Sequence, residues 1–191
     1  PSHISIYGLS VEPGTVLSHN LRQGRWILPT DDETGNMYDL IMDRLVKGGY
    51  ERYEISNFAK AGDKSRHNLV YWHYNPYLAF GAGATRFDGR TRENNPAYLA
   101  AYERGEAPEI ECLSPAVQRE EMIFMNLRTV RGLSLLDYEA RFGRSFAFDY
   151  GPQIENLIHK GWAKWEDGHF CLTPLGMQYG NLAFEAFITT D

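Results

Sequence analysis

The sequence predicts an α/β fold over about the first hundred residues, followed by a smaller α+β module of helices and a β-hairpin. In the first part, a strand-like run at residues 4–9 precedes a helical pattern and a second strand-like run at residues 52–55. This order is typical of a right-handed crossover between parallel strands. In the last third, three helical patterns precede a hairpin, an order that resembles a winged helix.

Composition narrows the classes of protein to consider. The chain has 191 residues, with 19 basic and 25 acidic side chains and a formal charge of −6. The acidic balance argues against a broad basic surface for nucleic acid or an anionic membrane. No apolar run approaches the roughly 18 to 20 residues that span a bilayer. We therefore expect a soluble, cytoplasmic protein.

The first predicted elements belong to a parallel sheet. Residues 4–9 are expected to form a buried strand, and a long loop follows as far as Pro29. Thr30 and Glu33 have the spacing of a capping box, and Gly48 marks the end of the helix that follows. A single crossover leaves most of a sheet unaccounted for, and the chain begins with Pro1. We expect the missing strands to lie upstream.

Residues 56–95 are rich in aromatic side chains, Asn and Gly, as functional loops often are. Within them, Asp88-Gly89 predicts a two-residue hairpin turn. A short helix is predicted over residues 96–104, and residues 105–114 are predicted to be a linker between domains at 1–104 and 115–191.

The predicted C-terminal domain shows clear helix signals. Ser114 and Pro115 predict a helix start, Ser134 and Gly143 bound a second helix, and a third ends near Gly161. A hairpin turning at 167–168 and a last helix reaching residue 187 complete the domain. Residues 133–191 hold four basic and eight acidic side chains, a net of −4, so the sequence argues against a DNA reader.

Two groups of polar or small residues are candidates for a binding site. Ser56 and Asn57 follow a strand that is expected to be parallel, and the carboxyl ends of such strands commonly hold ligands. Gly81 and Gly83 form a short glycine pattern, which is weak evidence for a phosphate cradle and more often marks a close-packed turn.

His67 is the most interesting of the six histidines. An imidazole can bind haem iron through one nitrogen, and Asn68 could orient the other. Tyr71 and Trp72 could supply planar apolar surface to a macrocycle. His67 and His73 could instead form a metal pair, although no third ligand is conveniently spaced.

The cysteines provide no metal site on their own. Cys112 and Cys171 are too few and too far apart for a disulfide framework or a four-thiolate site, so we expect two reduced thiols.

Four separated segments together resemble the radical S-adenosylmethionine proteins of the oxygen-independent coproporphyrinogen III oxidase-like family. The pattern HNxxYW at 67–72 resembles the motif of the family branch that is regarded as haem chaperones. The resemblance also extends to the C-terminal module, through 127–129 and 172–176. The four segments are residues 3–15, residues 53–58, residues 67–72 and residues 81–84.

This resemblance implies a fold and a ligand. The first 104 residues would be the final strands of an incomplete (β/α) radical-SAM barrel, with Ser56, Asn57, Gly81 and Gly83 at its mouth. His67 would bind the haem iron, with Asn68, Tyr71 and Trp72 beside the haem. Family members use a CxxxCxxC loop to hold a [4Fe-4S] cluster that binds S-adenosylmethionine. This chain lacks that loop, so we expect cluster and S-adenosylmethionine only in the full-length protein.

The sequence departs from the family pattern beside the glycine turn. Ala79, Thr85 and Arg86 stand where family members commonly have glycine or other small residues or His. A bulky Arg86 could reshape the mouth of the pocket and change which tetrapyrrole binds.

Three functions stay open at this point. The first is binding haem and delivering it to acceptor proteins. The second is anaerobic decarboxylation of coproporphyrinogen III, in which Arg66, Arg86 or Arg90 would pair with propionates. The third is a structural unit that only docks partners. Expected partners are a tetrapyrrole and haem-accepting proteins, with no nucleic acid. Peripheral membrane association of the whole protein, without a transmembrane segment, also stays open, as does the oligomeric state.

Overall fold

The computed structural model describes residues 1–188 and has mixed α/β content. Its contacts divide the chain into two compact units, one of residues 1–64 and one that begins at Ser65. The domain boundary predicted at residues 105–114 stays a prediction, and the last three residues of the predicted C-terminal domain lie outside the described part. Within residues 1–188, no helix is both long enough and apolar enough to cross a membrane.

The first unit contains a small antiparallel sheet and two helices. Its strands lie in the order β1-β3-β2, and both outer strands pair antiparallel with β3. Phe58 and Ala59 of the central strand are fully buried. The elements are β1 (His3–Ser5), α1 (Val16–Arg22), α2 (Asp31–Lys47), β2 (Glu51–Arg52) and β3 (Asn57–Ala59).

The strand pairing corrects the parallel sheet expected here. β1 and β2 do run in the same direction, but β3 lies between them and opposes both. The chain reverses directly after β2, where the Glu54 carboxylate accepts a hydrogen bond from the Ser56 amide at 2.8 Å. Ser56 and Asn57 therefore lie in and after a hairpin turn, not beyond the end of a parallel strand.

The sequence signals in this unit predicted α2 correctly but missed α1. The capping box at Thr30 and Glu33 is confirmed, and α2 ends at Gly48 as predicted. The long loop predicted before Pro29 is wrong, because it contains α1. Thr15 begins that helix by accepting a hydrogen bond from the Ser18 amide at 3.2 Å.

The second unit begins with a helix and a three-stranded antiparallel sheet. The hairpin predicted at Asp88-Gly89 is confirmed, and its strands β4 and β5 pair antiparallel. The predicted linker contains a third strand, β6, because its backbone pairs with β5. The elements are α3 (Arg66–Trp72), β4 (Thr85–Phe87), β5 (Thr91–Asn94), α4 (Leu99–Glu103) and β6 (Glu109–Cys112).

The rest of the second unit packs helices against another antiparallel sheet, ordered β7-β9-β8. The start of α5 at Ser114, the limits of α6 and the hairpin β8-β9 are as predicted. The predicted last helix is divided at Tyr179 into two. The elements are α5 (Pro115–Leu127), β7 (Leu133–Ser134), α6 (Leu135–Phe142), α7 (Phe146–His159), β8 (Ala163–Glu166), β9 (His169–Leu172), α8 (Pro174–Gln178) and α9 (Gly180–Glu185).

An aromatic cluster forms the core of this region. The Phe146 ring lies 5.3 Å from the ring of Phe170 and 5.7 Å from that of Phe187. All three side chains are at most 2% exposed. Burying such rings is worth about 1.5 to 3 kcal/mol each, so this cluster is a main source of stability for the second unit.

Gly176 provides a test of the packing between α8 and the turn before β8. A Cβ atom at this position would lie 1.8 Å from the backbone oxygen of Trp162. We predict that Gly176→Ala lowers the free energy of unfolding by about 3 kcal/mol, as measured by urea unfolding.

The matched control for this substitution is Gly151→Ala in α7. A Cβ atom there meets nothing within 4 Å, so the change in stability should stay within about 1 kcal/mol. Equal stability of the two variants would contradict the close approach at Gly176.

Candidate functional site

His67 lies on the exposed surface of a short helix, α3, not in the loop that the sequence suggested. Ser65 begins the helix, and its hydroxyl accepts a hydrogen bond from the Asn68 amide at 3.2 Å. The His67 side chain is exposed, and its imidazole makes no hydrogen bond within residues 1–188. Both ring nitrogens are therefore accessible to an incoming ligand.

A row of aromatic rings begins at His67. Tyr71 lies one helical turn further on, and its ring meets the imidazole edge to face with centroids 5.0 Å apart. The Tyr77 ring follows at 4.6 Å from Tyr71, and Phe87 lies 5.8 Å beyond it. Tyr74 completes the row at 4.8 Å from Phe87. We call these five residues the aromatic row.

Trp72 attaches α3 to the rest of the second unit. The guanidinium of Arg128, at the end of α5, lies 4.5 Å from the centre of the indole ring. The Trp72 Nε1 donor is buried and has no hydrogen-bond partner among residues 1–188. Because this indole packs against the end of α5, it is placed to hold α3 in position. Its side chain is less exposed than that of His67.

Asn68 does not orient His67 in this structure. Its backbone amide serves the helix start, and its side chain makes no hydrogen bond within the described residues. Successive helix residues point about 100° apart, so the two side chains do not face each other.

Ser56 and Asn57 belong to the first unit and have structural contacts there. The Asn57 side chain is 3% exposed and accepts a hydrogen bond from the Ser5 hydroxyl at 2.5 Å, which ties β3 to β1. The Ser56 carbonyl accepts from the Ile6 amide at 2.7 Å. These contacts account for both residues without a ligand, and their place at a barrel mouth stays a prediction.

Gly81 and Gly83 form a turn whose backbone groups are already paired. The Gly81 amide donates to the Tyr102 hydroxyl at 3.2 Å, and the Gly83 amide donates to the Pro96 carbonyl at 3.0 Å. Both glycines have positive φ angles, of 100° and 69°, which explains the residue type. The turn therefore holds the chain before α4.

The arginines proposed from the sequence as propionate partners differ in their surroundings. Arg86 pairs with Glu93 across β4 and β5 at 2.9 Å, so its charge is already compensated. Arg66 and Arg90 form no ion pair within residues 1–188. The Arg86 guanidinium, which was expected to reshape the pocket mouth, is thus already bound by the Glu93 carboxylate.

The described residues do not fit an iron–sulfur cluster. Cys112 is exposed, whereas Cys171 is buried and its thiol donates to the Arg131 carbonyl at 2.9 Å. Burial raises the pKa of the Cys171 thiol, which disfavours the thiolate form that binds iron. In the part of the chain that the structure describes, no group of three or more His, Cys, Asp or Glu side chains could hold a metal ion.

Sequence reasoning missed a polar cleft at the C-terminal end of α3. His73 ends the helix and lines the cleft together with Arg131, Asp137 and Arg141. More than a third of the His73 surface is exposed to solvent. The pKa of His73 is nevertheless lowered, mainly because its ring is partly desolvated and also because Arg131 is positively charged. The Asp137 carboxylate opposes this shift. No local pattern connects these residues in the sequence.

Comparisons with known proteins identify the family. Residues 113–179 match the model of the HemN C-terminal domain. The heme chaperone HemW of Lactococcus lactis is 36% identical over 99% of this chain, and that of Bacillus subtilis is 35% identical over 97%. Nearly the whole chain is therefore similar to heme chaperones, and its residues 113–179 match the HemN C-terminal domain. This confirms the resemblance found in the sequence.

The HemN/HemW relatives are longer than this chain. It spans about half of the curated relatives it matches, 51% of each of the two named. The fold likeness agrees with these relatives: the structure of the radical SAM enzyme coproporphyrinogen III oxidase (HemN) from Escherichia coli superposes with a TM-score of 0.72. That match has 16% identity and covers 99% of this chain and 48% of the other.

The surroundings of His73 predict a measurable pH dependence. We expect its pKa, measured by NMR titration of the ring protons, to lie below the ordinary value of about 6.5. Arg131→Gln should raise this pKa, and Asp137→Asn should lower it further. The unfolded state then binds more protons than the folded state just below pH 6.5, so stability falls as the pH decreases through this range. A His73 pKa at or above 6.5 would contradict the arrangement.

Proposed function

We propose that this chain contributes a haem site to a haem chaperone, with His67 binding the iron and the partly exposed rings of Tyr71 and Tyr77 supporting the macrocycle. The observation that carries the proposal is the exposed imidazole of His67, which has no hydrogen-bond partner within residues 1–188 and lies against Tyr71. A neutral imidazole is a common haem ligand, and aromatic rings bind apolar planar surfaces well. Haem here is cargo, which the protein takes up and passes to an acceptor protein.

The relatives support a chaperone in preference to an oxidase. The curated proteins that match nearly the whole chain at 35% identity or more are named heme chaperones. The coproporphyrinogen III oxidase structure matches at 16% identity, which supports the fold alone. An open, single-histidine site also suits a cargo that must leave again.

The proposal includes a finer description of the fold. Residues 1–104 would be the final part of an incomplete (β/α) radical-SAM barrel with its substrate-side loops, and residues 115–191 would form a winged-helix-like domain. S-adenosylmethionine and a [4Fe-4S] cluster are proposed for the full-length protein only. Radical chemistry forms no part of the function proposed for these residues. A cytoplasmic location and haem-accepting partner proteins are further parts of the proposal.

Haemin titration of the full-length gene product tests the proposal. Haemin should produce a saturable Soret shift, and His67→Ala should weaken the affinity by about tenfold or more and move the Soret maximum, because the axial ligand is lost. Tenfold corresponds to about 1.4 kcal/mol of binding free energy.

His159→Ala is the matched control, since it removes another exposed imidazole at the end of α7. Its affinity and spectrum should equal those of the unaltered protein. If His67→Ala and His159→Ala behave alike, His67 does not bind the iron.

A further inference from the structure

A cleft of about 570 Å³ lies in the second unit beside the C-terminal end of α3. This volume is within the range of about 300 to 1,000 Å³ that is typical of small-molecule sites. Its walls come from α5 and α6 and from the segments that follow α3 and α5. The polar side chains that line it are His73, Asn75, Asn126, Arg131, Asp137 and Arg141.

Two guanidinium groups in this cleft lack a carboxylate partner. Neither Arg131 nor Arg141 forms an ion pair within residues 1–188, and Asp137 is the single carboxylate that lines the cleft. Other arginines of the same unit are compensated: Arg104 pairs with Glu106 at 2.6 Å and Arg144 with Asp149 at 2.9 Å.

The geometry of Arg141 leaves donors available. One Nη atom donates to the Gly89 carbonyl at 2.5 Å, and the guanidinium lies over the Tyr74 ring at 4.7 Å. A guanidinium has five N–H donors, so several remain for a ligand. Arginine forks suit carboxylates because two parallel hydrogen bonds can form at once. The cleft therefore has the chemistry to bind a carboxylate.

The aromatic row connects this cleft to His67. It starts at the imidazole and ends at Tyr74, whose ring packs against the Arg141 guanidinium. Tyr71 and Tyr77 are partly exposed, whereas Phe87 and Tyr74 are at most 5% exposed. The buried rings therefore fix the exposed rings beside His67 relative to the cations of the cleft. A haem combines an iron centre and a flat apolar ring with two propionate arms at one edge.

We propose that this cleft binds the propionate carboxylates of the haem, with Arg131 and Arg141 as their partners. The inference rests on the proposed function and adds the orientation of the haem: its propionate edge faces α5 and α6, and its apolar edges lie against the partly exposed rings of Tyr71 and Tyr77. Arg131 and Arg141 would then distinguish a dicarboxylate tetrapyrrole from an uncharged one.

Titrations with haemin and with haemin dimethyl ester, which keeps the iron and lacks the propionate charges, test this orientation in the full-length gene product. Arg131→Gln should weaken haemin binding by about tenfold, as expected for a lost charged hydrogen bond, and leave the affinity for the ester unchanged. Arg141→Gln should act in the same way. Asp137→Asn should tighten haemin binding several-fold, because it removes the carboxylate that opposes the propionates.

Two controls separate this effect from loss of structure. Arg104→Gln removes an exposed, paired arginine of α4's C-terminal end and should leave both affinities unchanged. Arg141→Lys keeps the positive charge, and its haemin affinity should lie between those of Arg141→Gln and the unaltered protein. Thermal unfolding of each variant shows whether the protein remains folded.

The outcomes distinguish the inference from the proposed function. If Arg131→Gln and Arg141→Gln both bind haemin as tightly as the unaltered protein, or lose haemin and its ester to the same degree, the orientation is wrong while His67 ligation stands. If the unaltered protein shows no saturable haemin binding, the proposed function and the orientation both fail.

Discussion

The stacking of Arg128 on Trp72 fixes the helix on which the candidate site depends. α3 has only two turns and contributes no buried side chain, so its own hydrogen bonds could not hold it in place. The indole lies 4.5 Å below the guanidinium at the end of α5, and α5 contributes Ile123 and Leu127 to the core. Through this contact, the position of His67 depends on α5. A desolvated cation–π pair of this kind is worth about 2 kcal/mol.

This attachment explains how an exposed histidine can belong to a defined site. One side of α3 faces α5, while His67 and Tyr71 share another side, one turn apart. Tyr77 extends that surface, and the buried rings of Phe87 and Tyr74 pack behind it as far as the cleft at Arg131 and Arg141. A flat apolar ligand with charged arms would contact both regions together. In the proposed function, binding on an open surface through one protein ligand to the iron would also allow the haem to leave when an acceptor offers its own ligands.

Sequence reasoning succeeded where the signal is local. The capping box at Thr30 and the hairpin turn at Asp88-Gly89 depend on neighbouring residues, and both are confirmed. It failed for the partner of the first strand, because the hydrophobic pattern of residues 4–9 does not say which strand pairs with it. It also missed α3, which is too short to show a helical period. Within the candidate site, the HNxxYW pattern identifies His67 and Tyr71, whereas Arg131 and Arg141 reach the same region only through folding.

The central claim is that the haem iron is bound at His67. The most direct test is anomalous diffraction at the iron absorption edge from crystals of the haem-loaded, full-length gene product. We expect one iron peak at bonding distance from an imidazole nitrogen of His67, with the porphyrin ring against Tyr71 and Tyr77. An iron peak bound by another side chain, with His67 in contact with solvent only, would contradict it.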